Sequence, residues 1–251
     1  MPLPEQVAQR AELIRPLLTI TDRAWGRYAF SRDILRDRIP PEQQDAWTEG
    51  AIRCGREWAV RCGVTPGPGA PDALAAGLHL KVGQSDAPMT EKRAVFAACL
   101  PDGEILLMQE PLARYREFCA QAAGTDQAGL FPTPEEVRAL LLAHEVFHAI
   151  EEANESTIYT RTQKLRLWKI FGFANDSTVR AIGEIAAMYF AKELTGSRFN
   201  PFLLDPLLFA GYSLSGAKTI VCDIIEIAGK ISEEAHDGKV NQLPGVQQAQ
   251  R

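Results

Sequence analysis

The sequence predicts a predominantly helical α+β fold, with a small antiparallel sheet or hairpin and an N-terminal helical extension. Three observations carry this. Apolar residues recur at three- and four-residue intervals in several separated stretches, as in amphipathic helices. One stretch breaks that period: RAVFAACL, a PDG turn and EILLMQ read as a two-stranded hairpin over 93–109. Midway along the chain, Thr133-Pro134-Glu135-Glu136 forms a complete helix-start signal, with Thr133 as N-cap, Pro134 at the first helical position and Glu136 closing a capping box.

Taken in order, Gln6–Leu18 spaces Val7, Ala11, Ile14 and Leu18 as a helix that Pro16 should kink or shorten. After Pro40-Pro41, Asp45–Cys62 repeats the spacing with Trp47, Ala51, Cys54, Trp58 and Cys62. Residues 1–65 therefore read as a helical extension packed on the core, followed by a Gly/Pro-rich linker or surface loop over Gly63–Asp72. Residues 73–236 form the main domain. Its capped helix runs to about Ala153, and the stripe Val137, Leu140, Leu141, His144, Phe147, His148 and Glu151 should point inward. Asn175-Asp176-Ser177 reads as the cap of a further helix to Leu194, with Val179, Ile182, Ile185, Ala186 and Tyr189 on its apolar face and Gly196 as its stop. An apolar loop begins at Asn200-Pro201. The last helix starts at Ser215 or Gly216 and carries Ile220, Ile224, Ile227 and Ala228 to about His236; residues 237–251 read as a flexible tail.

The chain has 251 residues, 46% of them hydrophobic and 24% charged, which excludes a disordered or collagen-like protein and leaves room for a sizeable core. A net charge of −5 argues against nucleic acid as a partner. Five cysteines at irregular spacing, with no CxxC, exclude a disulfide framework and a cysteine zinc knuckle. No apolar run is long enough for a bilayer and the N-terminus lacks a signal-peptide pattern, so the cytoplasm is the expected location, with no membrane partner. Dinucleotide and P-loop fingerprints are missing as well.

One constellation carries chemistry. His144-Glu145-Val146-Phe147-His148 is H-E-x-x-H inside the best-delimited helix. Two histidines four apart share a helical face, so both rings can reach one metal ion, while Glu145 is offset to act as a proton acceptor. A catalytic zinc needs a third ligand. Glu184 is the candidate: it lies on an apolar helix (IGEIAAMYFA) among small residues, where an unpaired carboxylate would be costly. Glu152, at i+4 from His148, is a candidate to support the ligands from behind, and His79 a candidate hydrogen-bond donor to substrate.

HEVFH followed by Glu184 on a later helix resembles the zincin metallopeptidases, in the gluzincin arrangement of two histidines and a distal glutamate. The resemblance covers about Arg93–Leu194. It implies a zincin-like domain that hydrolyses peptide bonds with one zinc ion per chain, acting on a peptide or protein substrate. It also implies an active-site helix beneath an antiparallel sheet whose edge strand binds extended substrate. The larger members of that group add a tyrosine or histidine for the oxyanion; Tyr189, Tyr159, Tyr212 and His79 are the candidates, and the sequence leaves the choice open. No glycine follows His148 and Asn154 stands where a metzincin has its third ligand, so that branch does not apply.

Two other readings stay open. Glu145-x-x-His148 and Glu233-x-x-His236, with Glu184 and either Glu110 or Glu117, resemble the ligands of a carboxylate-bridged di-iron bundle. A non-catalytic helical binding protein with a structural metal is the third, although structural zinc sites are mostly cysteine-rich.

Overall fold

Pro16 cannot donate a helical hydrogen bond, so the first helix, α1 (Leu3–Ile14), stops just before it and the chain tightens into a 3-10 turn over Arg15–Thr19. The computed structural model describes residues 3–87, 96–100, 103–170 and 173–240. Thr21 caps α2 (Asp22–Ser31) by accepting the Ala24 N–H at 3.3 Å, and α3 (Pro41–Arg61) opens on a proline whose missing donor is not needed there. The stretch read as a linker contains the start of α4 (Ala70–Gly77). Three short strands follow, β1 (Lys81–Ser85), β2 (Ala97–Cys99) and β3 (Glu104–Met108), then α5 (Gln109–Ala122).

The capping box forms as predicted at the start of α6 (Pro134–Ala153): Thr133 Oγ1 accepts the Glu136 N–H at 3.1 Å, and the Glu136 carboxylate accepts the Thr133 N–H at 2.7 Å. A single turn, α7 (Tyr159–Thr162), leads into a second hairpin, β4 (Lys164–Ile170) and β5 (Phe173–Thr178). Then come α8 (Arg180–Thr195), α9 (Leu204–Phe209) and α10 (Leu214–Val240). Gly196 ends α8 in the left-handed conformation at φ 65°.

Helix α8 is the centre of the molecule and packs on both α3 and α6. Ile182, Ile185, Ala186, Ala187 and Phe190 are completely buried there. Each large side chain among them contributes about 1.5–3 kcal/mol by leaving water. The approach of α3 depends on Gly55, where an added Cβ would lie 2.3 Å from the Ala186 carbonyl oxygen. One apolar core runs continuously from Val7 through Ile224, so the N-terminal helices share it with the rest of the chain. Among the described residues, no helix is long and apolar enough to cross a membrane.

The fold is thus α+β and mostly helical, with two small sheets among the described residues. The predicted hairpin is present as β2 paired antiparallel with β3, and Leu100 and Gly103 close its turn through hydrogen bonds of 2.7 and 2.9 Å. Residues 93–95 and Pro101-Asp102 of that prediction lie outside the described residues, as does the tail from 241. The sheet itself is mixed, in the order β1-β3-β2, because Lys81–Ser85 adds a parallel strand to the far side of β3. Asn175-Asp176-Ser177 is not a helix cap. It lies in β5, where Asp176 pairs with Arg166 across the hairpin at 2.9 Å. The first turn of α8 is capped from a distance instead, by Asp33, whose Oδ2 accepts the Ala181 N–H at 2.9 Å. β2 and β3 pack on α6.

Candidate metal centre

The 3.6-residue period of α6 puts His144 and His148 on one face, and the rings point at each other with their Nε2 atoms 3.0 Å apart. Glu184 reaches the same point from α8: its Oε2 is 3.3 Å from His144 Nε2 and 3.8 Å from His148 Nε2. Among the described residues these three are the group of metal-ligating side chains that converges. An ion held at about 2.0–2.2 Å in a tetrahedron keeps neighbouring donors about 3.3 Å apart. The observed edges of 3.0, 3.3 and 3.8 Å define a circle of radius about 2.0 Å, so such an ion fits just off the plane of the three atoms. The donor set of two imidazoles and one carboxylate suits zinc and its divalent neighbours.

The electrostatics favour a cation. Burial alone would raise the Glu184 carboxyl, but the two imidazoles hold it well below the usual carboxylate range. Burial alone would lower the His148 imidazole; Glu151, Glu184 and Glu145 outweigh it and push it up to about 10. The other oxygen of Glu184 is held by Arg180, whose Nε lies 3.3 Å from Oε1.

Behind His148 stands Glu151, which sequence reasoning placed on the inward stripe without a role. Its Oε2 is 3.4 Å from His148 Nδ1 and 3.1 Å from the Arg161 guanidinium, and its side chain is 5% exposed. Glu152, the residue favoured for that place, is exposed on the rim of the cleft. The available signal was the i+3 spacing, which brings a carboxylate against a ring on the same face as well as i+4 does.

The triad opens into a cleft of about 870 Å³. Ala97, Ala98 and Cys99 of β2 form part of its wall, and Glu145, itself 8% exposed, lines it beside the triad. Arg161 and Arg180 line it too, whereas no tyrosine does among the described residues. Tyr189 is buried elsewhere, its hydroxyl donating to Asp22 at 2.5 Å and accepting from Asn200 at 3.3 Å. Tyr212 lies under the Arg114 guanidinium and Tyr159 against Gly50 of α3. His79 is exposed at the end of α4 with φ 56° and does not line the cleft. The second Glu-x-x-His pair, Glu233 and His236, is exposed on α10, and the cluster at His144 does not include it.

These residues make a clustered His/His/Glu site consistent with metal-dependent catalysis, in the arrangement of H-E-x-x-H plus a distal glutamate. No family model matches the chain, and neither a curated protein nor a solved structure matches it.

Proposed function

We propose that the protein is a zinc-dependent peptidase, in which His144, His148 and Glu184 hold one zinc ion and Glu145 is the general base. A bound zinc ion would supply a Lewis acid, lowering the pKa of a water molecule toward about 7 and polarising a carbonyl. Glu145 takes a proton from the water as its oxygen bonds to the carbonyl carbon, then passes that proton to the amide nitrogen, and the carbon–nitrogen bond breaks to release the amine. Ala97, Ala98 and Cys99 of β2 stand in the wall of the cleft, where an extended chain would lie beside the triad. Arg180 brings a positive charge, 87% exposed, to the rim where a developing oxyanion needs one.

The observation that carries this reading is the convergence of three donors in a cleft that also contains Glu145. A structural metal would sit in a closed site. The test is zinc content and hydrolysis of a peptide library on three variants side by side. Glu145→Gln is expected to keep zinc and lose about 10²–10⁴-fold in turnover, the size of a proton-transfer contribution. His148→Ala is expected to lose zinc and activity together, and Glu184→Gln to weaken zinc by less. Parent-like hydrolysis by Glu145→Gln would refute the role given to that residue.

A further inference from the structure

We propose that Glu151, gripped by Arg161, is a positioning residue of the metal centre. It fixes the His148 ring with Nε2 turned toward the ion, and it has room to do so because residue 183 is glycine. This rests on the metal-site reading above and adds to it the group that sets the tautomer and orientation of one ligand.

Three independent features point the same way. First, an imidazole that binds metal through Nε2 must keep its proton on Nδ1, and a carboxylate at Nδ1 enforces that. Glu151 Oε2 faces His148 Nδ1 at 3.4 Å. The corresponding atom of His144, Nδ1, is buried with no hydrogen-bond partner among the described residues, so the side-chain hold on the ligand rings is one-sided. Second, a carboxylate only 5% exposed is costly unless it is paired, and the same Oε2 that faces His148 accepts from Arg161 at 3.1 Å. Arg161 belongs to α7 and comes from outside helix α6, so it fixes where the carboxylate points. Third, a Cβ at position 183 would lie 2.8 Å from Glu151 Oε1 and 3.4 Å from Oε2. Alanine is the stronger helix former, and at 183 the nearest obstacle to its methyl group is this carboxylate.

The last point separates positioning from mere structural support. Gly183→Ala improves helix propensity yet pushes the Glu151 carboxylate from its place. The experiment uses the full chain, with zinc affinity measured by chelator competition, the visible absorption of the cobalt(II)-loaded protein, and melting of the metal-free form. Glu151→Ala is expected to weaken zinc about 10–100-fold, the usual effect of removing a group that orients a ligand. Gly183→Ala is expected to weaken zinc and alter the cobalt bands while the metal-free form still melts cooperatively, its better helix propensity offsetting part of the cost of moving a buried carboxylate. Arg161→Lys should retain most of the affinity that Arg161→Met loses. Parent-like zinc affinity and cobalt bands in Gly183→Ala, or in a folded Glu151→Ala protein, would overturn the proposal and leave the metal site standing. A parent protein that binds no zinc would instead overturn the metal-site reading on which it rests.

Discussion

Replacing Gly55 by alanine should destabilise the fold through the contact that places Glu184. The added Cβ would fall 2.3 Å from the Ala186 carbonyl oxygen and 2.9 Å from the Phe190 backbone nitrogen. Ordinary contact begins near 3.5 Å, so α3 and α8 must separate by about 1 Å. Both obstacles are helix backbone, which cannot swing aside as a side-chain end can. Overpacking of this kind costs about 1–3 kcal/mol, and the better helix propensity of alanine returns about 1 kcal/mol. With rigid groups on both sides the upper part of that range applies, a net loss of about 2 kcal/mol. For a chain of this size that lowers the melting temperature by about 4–8 °C. Ala186 lies two residues beyond Glu184, so the displacement should also loosen the three-donor cluster and weaken zinc. Far-UV circular dichroism melting of the metal-free protein measures the first effect, and chelator competition the second. A Gly55→Ala protein that melts at or above the parent temperature would refute the packing described for α3 and α8.

Three further outcomes follow from contacts away from the candidate metal site. Burial alone would raise the Asp45 carboxyl, but hydrogen bonds from Arg27 at 2.6 and 2.7 Å and from Arg23 at 3.0 Å hold it below its ordinary value. A depressed carboxylate stabilises above its unfolded value, near pH 4, and that stabilisation disappears as pH falls through the folded one. Asp45→Asn should therefore cost about 1–2 kcal/mol at pH 7 and progressively less toward pH 2, read from urea midpoints; an equal deficit at both ends would contradict the pairing. Tyr189→Phe removes the donor to Asp22 and should lower stability by about 1–2 kcal/mol with turnover within about twofold of the parent. A large fall in kcat at unchanged stability would put that hydroxyl in the chemistry after all. Thr133→Ala deletes the N-cap of α6 and should cost about 1 kcal/mol by thermal melting, with no change in zinc stoichiometry.

The parts of the molecule legible in the sequence are those in which local chemistry and burial agree. The capping box at Thr133, the stop at Gly196 and the inward stripe of α6 each have a local signature, and each is found where it was read. The triad was legible for a related reason: two histidines at helical spacing need no tertiary information, and Glu184 is conspicuous as an acid on an apolar helix. What escaped depends on distant partners. β1 is polar and mostly exposed, and only its pairing with β3 makes it a strand. The β4–β5 hairpin has little burial to pattern its residues, so Asn175-Asp176-Ser177 looked like a cap. The true cap, Asp33, is 148 residues away from the N–H it serves. Glu151 and Glu152 compete for the same role on spacing alone, and the deciding groups are Arg161 and Gly183, on other helices.

The central proposal is that His144, His148 and Glu184, whose donor atoms converge, bind one zinc ion per chain. It is tested most directly by elemental analysis of protein purified without added metal, then equilibrated with zinc and iron in competition, for the parent and His148→Ala. The proposed function predicts one zinc per parent chain and none retained by the variant. Two irons per chain, or a parent protein that retains no metal under the same conditions, would contradict it.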